Sequence, residues 1–268
     1  MIRRNDQLDE VKPKEPSQQA SQALWEKRDR YKLTPPRYSE VASIAWIQKF
    51  FKDAGEVWRK NRKSINYVDL GCGDCRGTRA FADFLGKTTQ MSIKTVGVDA
   101  SAQCEQECIS QNIKFVRLDL GSEPIPLRDF QVFTIFETIE HIFDTDSLVL
   151  SVRNSISKDG ILLVTTLNTV CWKNRILVPL GIQPINTEVS TKKLSYGYRM
   201  KFLKKQVDKW KPAGHIRPFT LYSLTDLLED NGFKIINSYG LENWRSFKFL
   251  EHIAKNMCTG ILVIARPS

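Results

Sequence analysis

From Asn66 onward the chain alternates short apolar runs with helical stretches. Tyr67-Val68-Asp69-Leu70 reads as a strand, and Thr78 to Leu85 as a helix. Lys94-Thr95-Val96-Gly97-Val98 predicts a second strand, with Ser101 placed to cap the next helix. Phe115 to Leu118, Gln131 to Phe136 and Ile161 to Thr165 read as three more strands. Their β-branched, nearly continuous apolar character suits strands covered on both faces of a parallel sheet. Strand and helix alternating at this spacing predict an α/β fold with a doubly wound sheet. The rhythm fails over residues 168–217, which read as an insertion of turns and short helices after strand five. It resumes with a helix capped by Thr220, carrying Leu221, Leu224, Leu227 and Leu228 on one face and stopped at Gly232. Phe233 to Ile236 and Gly260 to Ile264 supply the last two strands.

Residues 1–63 form a separate stretch of tail and helices ahead of a domain spanning 64–268. Residues 1–20 are polar and rich in Pro, Gln and Ser, so they are expected to be poorly ordered. A helical pattern around Ala23-Leu24-Trp25 is broken by Thr34-Pro35-Pro36. Val41, Ile44, Ala45, Ile47, Phe50 and Phe51 then recur at helical spacing and predict one amphipathic helix.

At 268 residues the chain has the length of one domain with an insertion. No apolar run approaches the ~18–20 residues that span a bilayer. Met1-Ile2-Arg3-Arg4-Asn5-Asp6 leads into polar sequence rather than a secretory segment, so a cytoplasmic protein is expected. On that expectation the six cysteines are free thiols. Cys72 and Cys75 make one CxxC with no second pair to complete a zinc site, and Cys104 and Cys108 sit four apart on a helix as packing residues. Charge is uneven: net +6 over 1–63, −5 over 64–166 and +9 over 167–268. Basic flanks around an acidic centre either form a solvated face or favour an anionic partner.

The most informative stretch is Asp69-Leu70-Gly71-Cys72-Gly73-Asp74-Cys75-Arg76-Gly77, which a strand enters and a helix leaves. Arg76 occupies the third glycine of the GxGxxG nicotinamide fingerprint, and the Gly-Lys-Ser/Thr of a phosphate loop is absent. An acid two residues before a Gly-x-Gly turn suits a cationic amine better than a pyrophosphate, because two anions repel. Asp99 ends strand two, where a carboxylate can accept from both hydroxyls of a ribose. Asp119 follows strand three, within reach of an adenine amino group. Amine, ribose and adenine together describe S-adenosylmethionine.

These motifs resemble class I S-adenosylmethionine-dependent methyltransferases of the small-molecule type. Val68-Asp69-Leu70-Gly71-Cys72-Gly73, Val96-Gly97-Val98-Asp99, Leu118-Asp119-Leu120 and Phe136 to His141 stand in the family's order, covering about residues 64–166 and the last two strands. The resemblance implies a Rossmann-like seven-stranded sheet whose last strand is antiparallel. It places Asp69, Gly71, Cys72 and Gly73 at the methionine end, Asp99 and Ala100 at the ribose, Asp119 and Leu120 at the adenine, and Phe136 and Glu137 beside the cofactor. Position 75 departs from the pattern, with Cys75 where a third glycine is common.

If Glu137-Thr138-Ile139-Glu140-His141 is helical, Glu137, Glu140 and His141 share one face. His215, in Gly214-His215-Ile216-Arg217, is a fourth candidate. Such a set resembles metal-assisted O-methyltransferases of quinone precursors and small-RNA 2′-O-methyltransferases. A divalent metal is therefore admitted, but the favoured reading assigns no metal ligands: Glu140 bonds locally and His141 lines the pocket. Methyl transfer from a sulfonium asks mostly for alignment. A hydroxyl acceptor gains from a base, so His141, His215 and Glu140 are the catalytic candidates, whereas His252 has no role.

Within the insertion, Asn168, Trp172, Asn174, Arg175 and Gly181-Ile182-Gln183-Pro184 are acceptor-pocket candidates. The stretch loosely resembles small-molecule methyltransferases near methionine-biosynthesis and glycosyl-modifying groups. Tyr196, Tyr198, Phe202 and Trp210 alternate with basic residues over 192–211, a pattern open to lid packing, RNA stacking or an anionic membrane surface. The expected activity is methyl transfer to a hydroxyl or carboxyl of a small anionic metabolite or glycan. RNA methylation and a catalytically inactive cofactor binder are the alternatives.

Overall fold

The computed structural model describes residues 36–268; the pattern around Ala23-Leu24-Trp25 and the polar residues before it lie outside that range. The described chain opens with α1 (Pro36–Ser43) and α2 (Ala45–Asn61). Proline suits the first position of a helix, where its missing N–H has no partner to lose. The single helix expected over Val41 to Phe51 is thus two, because Ile44 between them is extended at φ −69°, ψ 116°. One face of α2 buries Ile47, Phe51, Gly55 and Trp58.

The predicted alternation follows: β1 (Ser64–Leu70), α3 (Arg76–Thr89), β2 (Ser92–Asp99), α4 (Gln103–Ser110) and β3 (Lys114–Arg117). Then come β4 (Phe130–Phe136), α5 (Thr145–Ser155) and β5 (Ile156–Leu167). The insertion carries α6 (Trp172–Leu177) and α7 (Lys201–Val207). The chain closes with α8 (Leu221–Asp230), β6 (Phe233–Leu241), α9 (Leu250–Ile253) and β7 (Gly260–Pro267). Thr220 caps α8 with a full capping box alongside Ser223, as its position predicts. Ser101 does not cap α4: Ala102 takes the cap position, and the Ser101 amide bonds Asp99 instead.

The strands form one seven-stranded sheet in the order β3-β2-β1-β4-β5-β7-β6. All neighbours pair parallel except β7, which runs antiparallel to β5 and to β6. The chain fills the β2, β3 side first, then crosses β1 to lay down β4. That reversal opens a crevice at the carboxyl ends of β1 and β4. Apolar layers cover both faces. One packs Leu148, Val149, Val152, Leu224 and Leu228 of α5 and α8 on the sheet. The other packs Ile47, Phe51, Phe81 and Leu85 of α2 and α3 on Tyr67, Val132 and Leu163. Each such fully buried side chain contributes roughly 1.5–3 kcal/mol. No helix among the described residues is long and apolar enough to cross a membrane.

Candidate active site

The carboxyl end of β1 turns at once. The amides of Gly71 and Cys72 both donate to the Val98 carbonyl of β2, at 2.8 and 3.1 Å. Gly71 is left-handed at φ +78°, and a Cβ there would strike the Thr138 side chain, so both conformation and space require glycine. Asp69 lies beneath this turn, fully buried. Its Oδ2 accepts from Tyr38 Oη at 2.7 Å and from Thr78 Oγ1, and its Oδ1 accepts from Thr134 Oγ1 at 2.6 Å. Burial raises the Asp69 carboxyl's pKa against the lowering by those three hydroxyls. Three elements are thereby tied to β1, and the carboxylate organises the turn from below.

Asp99 sits at the end of β2, half-buried. Its Oδ2 accepts from the Gly73 amide at 3.0 Å and its Oδ1 from the Ser101 amide at 2.9 Å. A carboxylate has about four lone-pair positions, so two amides leave room for the two hydroxyls of a ribose. Asp119 is half-buried after β3 and accepts from the Gly121 amide at 3.0 Å. Ala100 lies half-buried beside Asp99, whereas Leu120 and Phe136 are buried, Phe136 edge-on to Tyr38 at 4.9 Å.

The cysteines differ from expectation. Cys75 and Cys108 are joined as a disulfide, so the two are not free thiols, and Cys108 does more than pack α4. The bond ties the turn after β1 to α4, the helix after Asp99. Cys72 Sγ lies 3.8 Å from Cys108 Sγ, and Cys72, Cys104, Cys171 and Cys258 remain free. Gly97 makes the space: a Cβ there would come within 2.8 Å of the sulfurs of Cys72 and Cys75. Cys75 holds φ +58°, the left-handed position where the family pattern has glycine.

After β4 the helix that would set Glu137, Glu140 and His141 on one face does not form. Glu137 is left-handed at φ +51°, and only Ile139–His141 make a single 3₁₀ turn. Glu137 turns to Arg37 Nε, which donates to it at 3.0 Å, while Glu140 is buried and accepts from Thr166 Oγ1 at 2.9 Å. Burial, then the charge of Glu137, pushes the Glu140 carboxyl up to about 8. His141 Nδ1 lies 2.9 Å from the Gly214 carbonyl, and its ring stacks on His215 at 4.9 Å. His215 Nδ1 lies 3.2 Å from Glu188 Oε1. Burial would raise Glu188, but His215 and the amides of Gly214 and Ala213 outweigh it and hold the carboxyl below its ordinary range. The structure therefore brings His141, His215 and Glu140 together, as the sequence suggested.

A ligand atom of Glu140, His141 and His215 can each lie within 4.8 Å of the others. The set does not fit a resident divalent metal as it stands. Glu137 is engaged by Arg37 and His215 by Glu188, which leaves one buried carboxyl, Glu140, in the set.

Three acceptor-pocket candidates from the insertion are spent on backbone carbonyls. Asn168 donates to the carbonyls of Asn256 and Cys258, and Asn174 donates to those of Thr169 and Ile185. Arg175 Nε donates to the Val170 carbonyl at 2.8 Å. Trp172 stacks on Phe247 at 4.1 Å. In the 181–184 turn, Gly181 is left-handed at φ +66°, Ile182 is buried, and Gln183 bonds Thr187. Sequence reasoning missed Arg37, Tyr38, Thr78, Thr134 and Glu188, whose partners lie 9 to 100 residues away. Pro36 reads in sequence only as a breaker, although a proline also suits the first position of a helix, and nothing local tells what that helix would touch.

The family described as "Methyltransferase domain" matches residues 40–238. The chain belongs to this family of S-adenosylmethionine-dependent methyltransferases. Solved structures bear out its fold. A Mesorhizobium loti S-adenosylmethionine-dependent methyltransferase is 17% identical, with 80% of this chain and 96% of that one covered at a TM-score of 0.50. A Thermotoga maritima one, a possible histamine N-methyltransferase, is 16% identical over 82% and 91%, also at 0.50. A third, from Clostridium acetobutylicum, is 16% identical over 82% and 92%, at 0.50. No curated protein matches the sequence. In this methyltransferase the open lone pairs of Asp99 and the close-backbone turn at Gly71 to Gly73 fit a nucleoside cofactor.

Proposed function

We propose that this methyltransferase acts on a hydroxyl or carboxyl of a small anionic metabolite or glycan. S-Adenosylmethionine, when bound, supplies an activated methyl group on a sulfonium. Asp99 with Ala100 would take the ribose, Asp119 with Leu120 the adenine, and the turn of Gly71, Cys72 and Gly73 over Asp69 the methionine end, with Phe136 and Glu137 alongside. The observation that carries the acceptor reading is the stack of His141 on His215, with Glu188 beside His215 and Glu140 beneath. A carboxylate that orients one imidazole against another holds a base able to take a hydroxyl proton. Glu140, buried and largely protonated at neutrality, adds no second negative charge to repel an anionic acceptor. The insertion's basic residues would attract that acceptor. They also favour a second reading, RNA as acceptor, which predicts affinity falling steeply with salt.

Release of S-adenosylhomocysteine, measured across a panel of hydroxy acids, carboxylates, phosphorylated sugars and short RNA, tests both. Turnover with a small anion, lowered about 10²-fold or more in His141→Ala while cofactor affinity holds, is the expected result. Turnover confined to RNA, or to an amine, would overturn the first reading.

A further inference from the structure

The insertion's surface differs in kind from the rest of the molecule. Of the eighteen exposed large hydrophobic residues among those described, ten lie within 168–217. The same fifty residues hold eleven Lys and Arg against two acids, which is nearly the whole net charge of +10. Isolated exposed apolar residues are ordinary on a soluble surface, but this concentration with one sign of charge is not. In α7, Leu203 and Val207 are half-buried and face the protein, so the helical period turns Lys201, Phe202 and Lys205 outward. Phe202 is 64% exposed, and Trp210, three residues beyond α7, is 70% exposed. Gly197 packs so closely on Gln183 that a Cβ would come within 2.7 Å, which ties residues 196–198 to the 181–184 turn.

We infer that this face docks on an anionic lipid bilayer. Its apolar members include Ile176, Val178, Leu180 and Val189, aliphatic groups that offer a nucleic-acid base no stacking plane but enter an acyl boundary readily. Trp210 suits the headgroup level, and eight of the eleven basic residues are lysines, whose long stems reach phosphates while lying along apolar surface. The face is also tied to the crevice. The Gly214 carbonyl meets His141, and Glu188 accepts from the amides of Ala213 and Gly214 at 2.7 Å. The inference rests on this surface and not on which acceptor is methylated.

Co-sedimentation of the full chain with vesicles tests it, using phosphatidylcholine alone and phosphatidylcholine with about one third phosphatidylglycerol. Binding to the second and not the first is expected. Replacing Lys201, Lys204 and Lys205 together by Gln should weaken partitioning about 100-fold, near fivefold per charge. Phe202→Ser with Trp210→Ser should weaken it about tenfold, with no recovery at low salt. Both variants should bind S-adenosylmethionine as the parent does in calorimetry, which separates lost docking from lost fold. Equal binding to both vesicles, no binding to either, or variants that instead lose affinity for a short single-stranded RNA or lose self-association would overturn it.

Discussion

The cofactor half and the insertion are built on opposite plans. Over 64–166 the chain is net acidic, and its candidate ligands are held by backbone amides at strand ends. A disulfide and a buried carboxylate with three hydroxyl partners lock the turn between them. Over 168–217 the chain is strongly basic and largely irregular, and a few side chains, Asn168, Asn174 and Glu188, carry its shape. In the first half each of these groups is fixed by regular structure. The second is built largely of loop, a surface that substitution can reshape without disturbing the sheet.

The comparison can be broken by experiment. The largest loss should come from Asp69→Ala, which strands the buried hydroxyls of Tyr38 and Thr78, leaves Thr134 only Tyr67, and unties α1 from β1; about 4 kcal/mol of stability in urea unfolding is expected. A cost under about 1 kcal/mol would show that the turn does not depend on this carboxylate. Cys108→Ser opens a loop closed across 33 residues and should cost about 3 kcal/mol, with the same change produced in the parent by reductant. A reduced parent as stable as the oxidised one would remove the lock from the comparison.

In the other half, Asn174→Ala should cost about 1–3 kcal/mol and leave cofactor affinity unchanged. An acceptor KM altered with no stability change would return Asn174 to the acceptor pocket. A separate test concerns pH. Glu140 titrates higher in the folded chain, at about 8, than its ordinary 4.5. The folded state thus binds this proton more tightly, and stability falls as pH rises from 4.5 through 8. Glu140→Gln should flatten that fall in unfolding curves taken across the window, and a slope identical to the parent's would refute the assignment.

Much of this was legible in the residues. Continuous β-branched runs separated by amphipathic stretches have few stable arrangements, so the seven strands could be placed to within a few residues, apart from β5 and β6, which run further. Gly71 and Asp99 could be named because a turn and a strand end impose local demands that residue type reveals. The segment after β4 has helical spacing in sequence, yet it forms only a short 3₁₀ turn. Only the tertiary environment, with Arg37 drawing Glu137 aside and Thr166 holding Glu140, selects the left-handed residue and the short turn.

The sequence by itself determined the doubly wound α/β class and the charge of each half, which follow from periodicity and composition, while the cofactor class came from the glycine turn, the strand-end acids and the family they resemble. Tertiary structure alone decided that Cys75 meets Cys108, that Tyr38 caps Asp69, that Asn174 serves the loop's own backbone, and that His141 stacks on His215. Each is a contact between distant parts of the chain, and its energy comes from burial and partner geometry that no local pattern encodes.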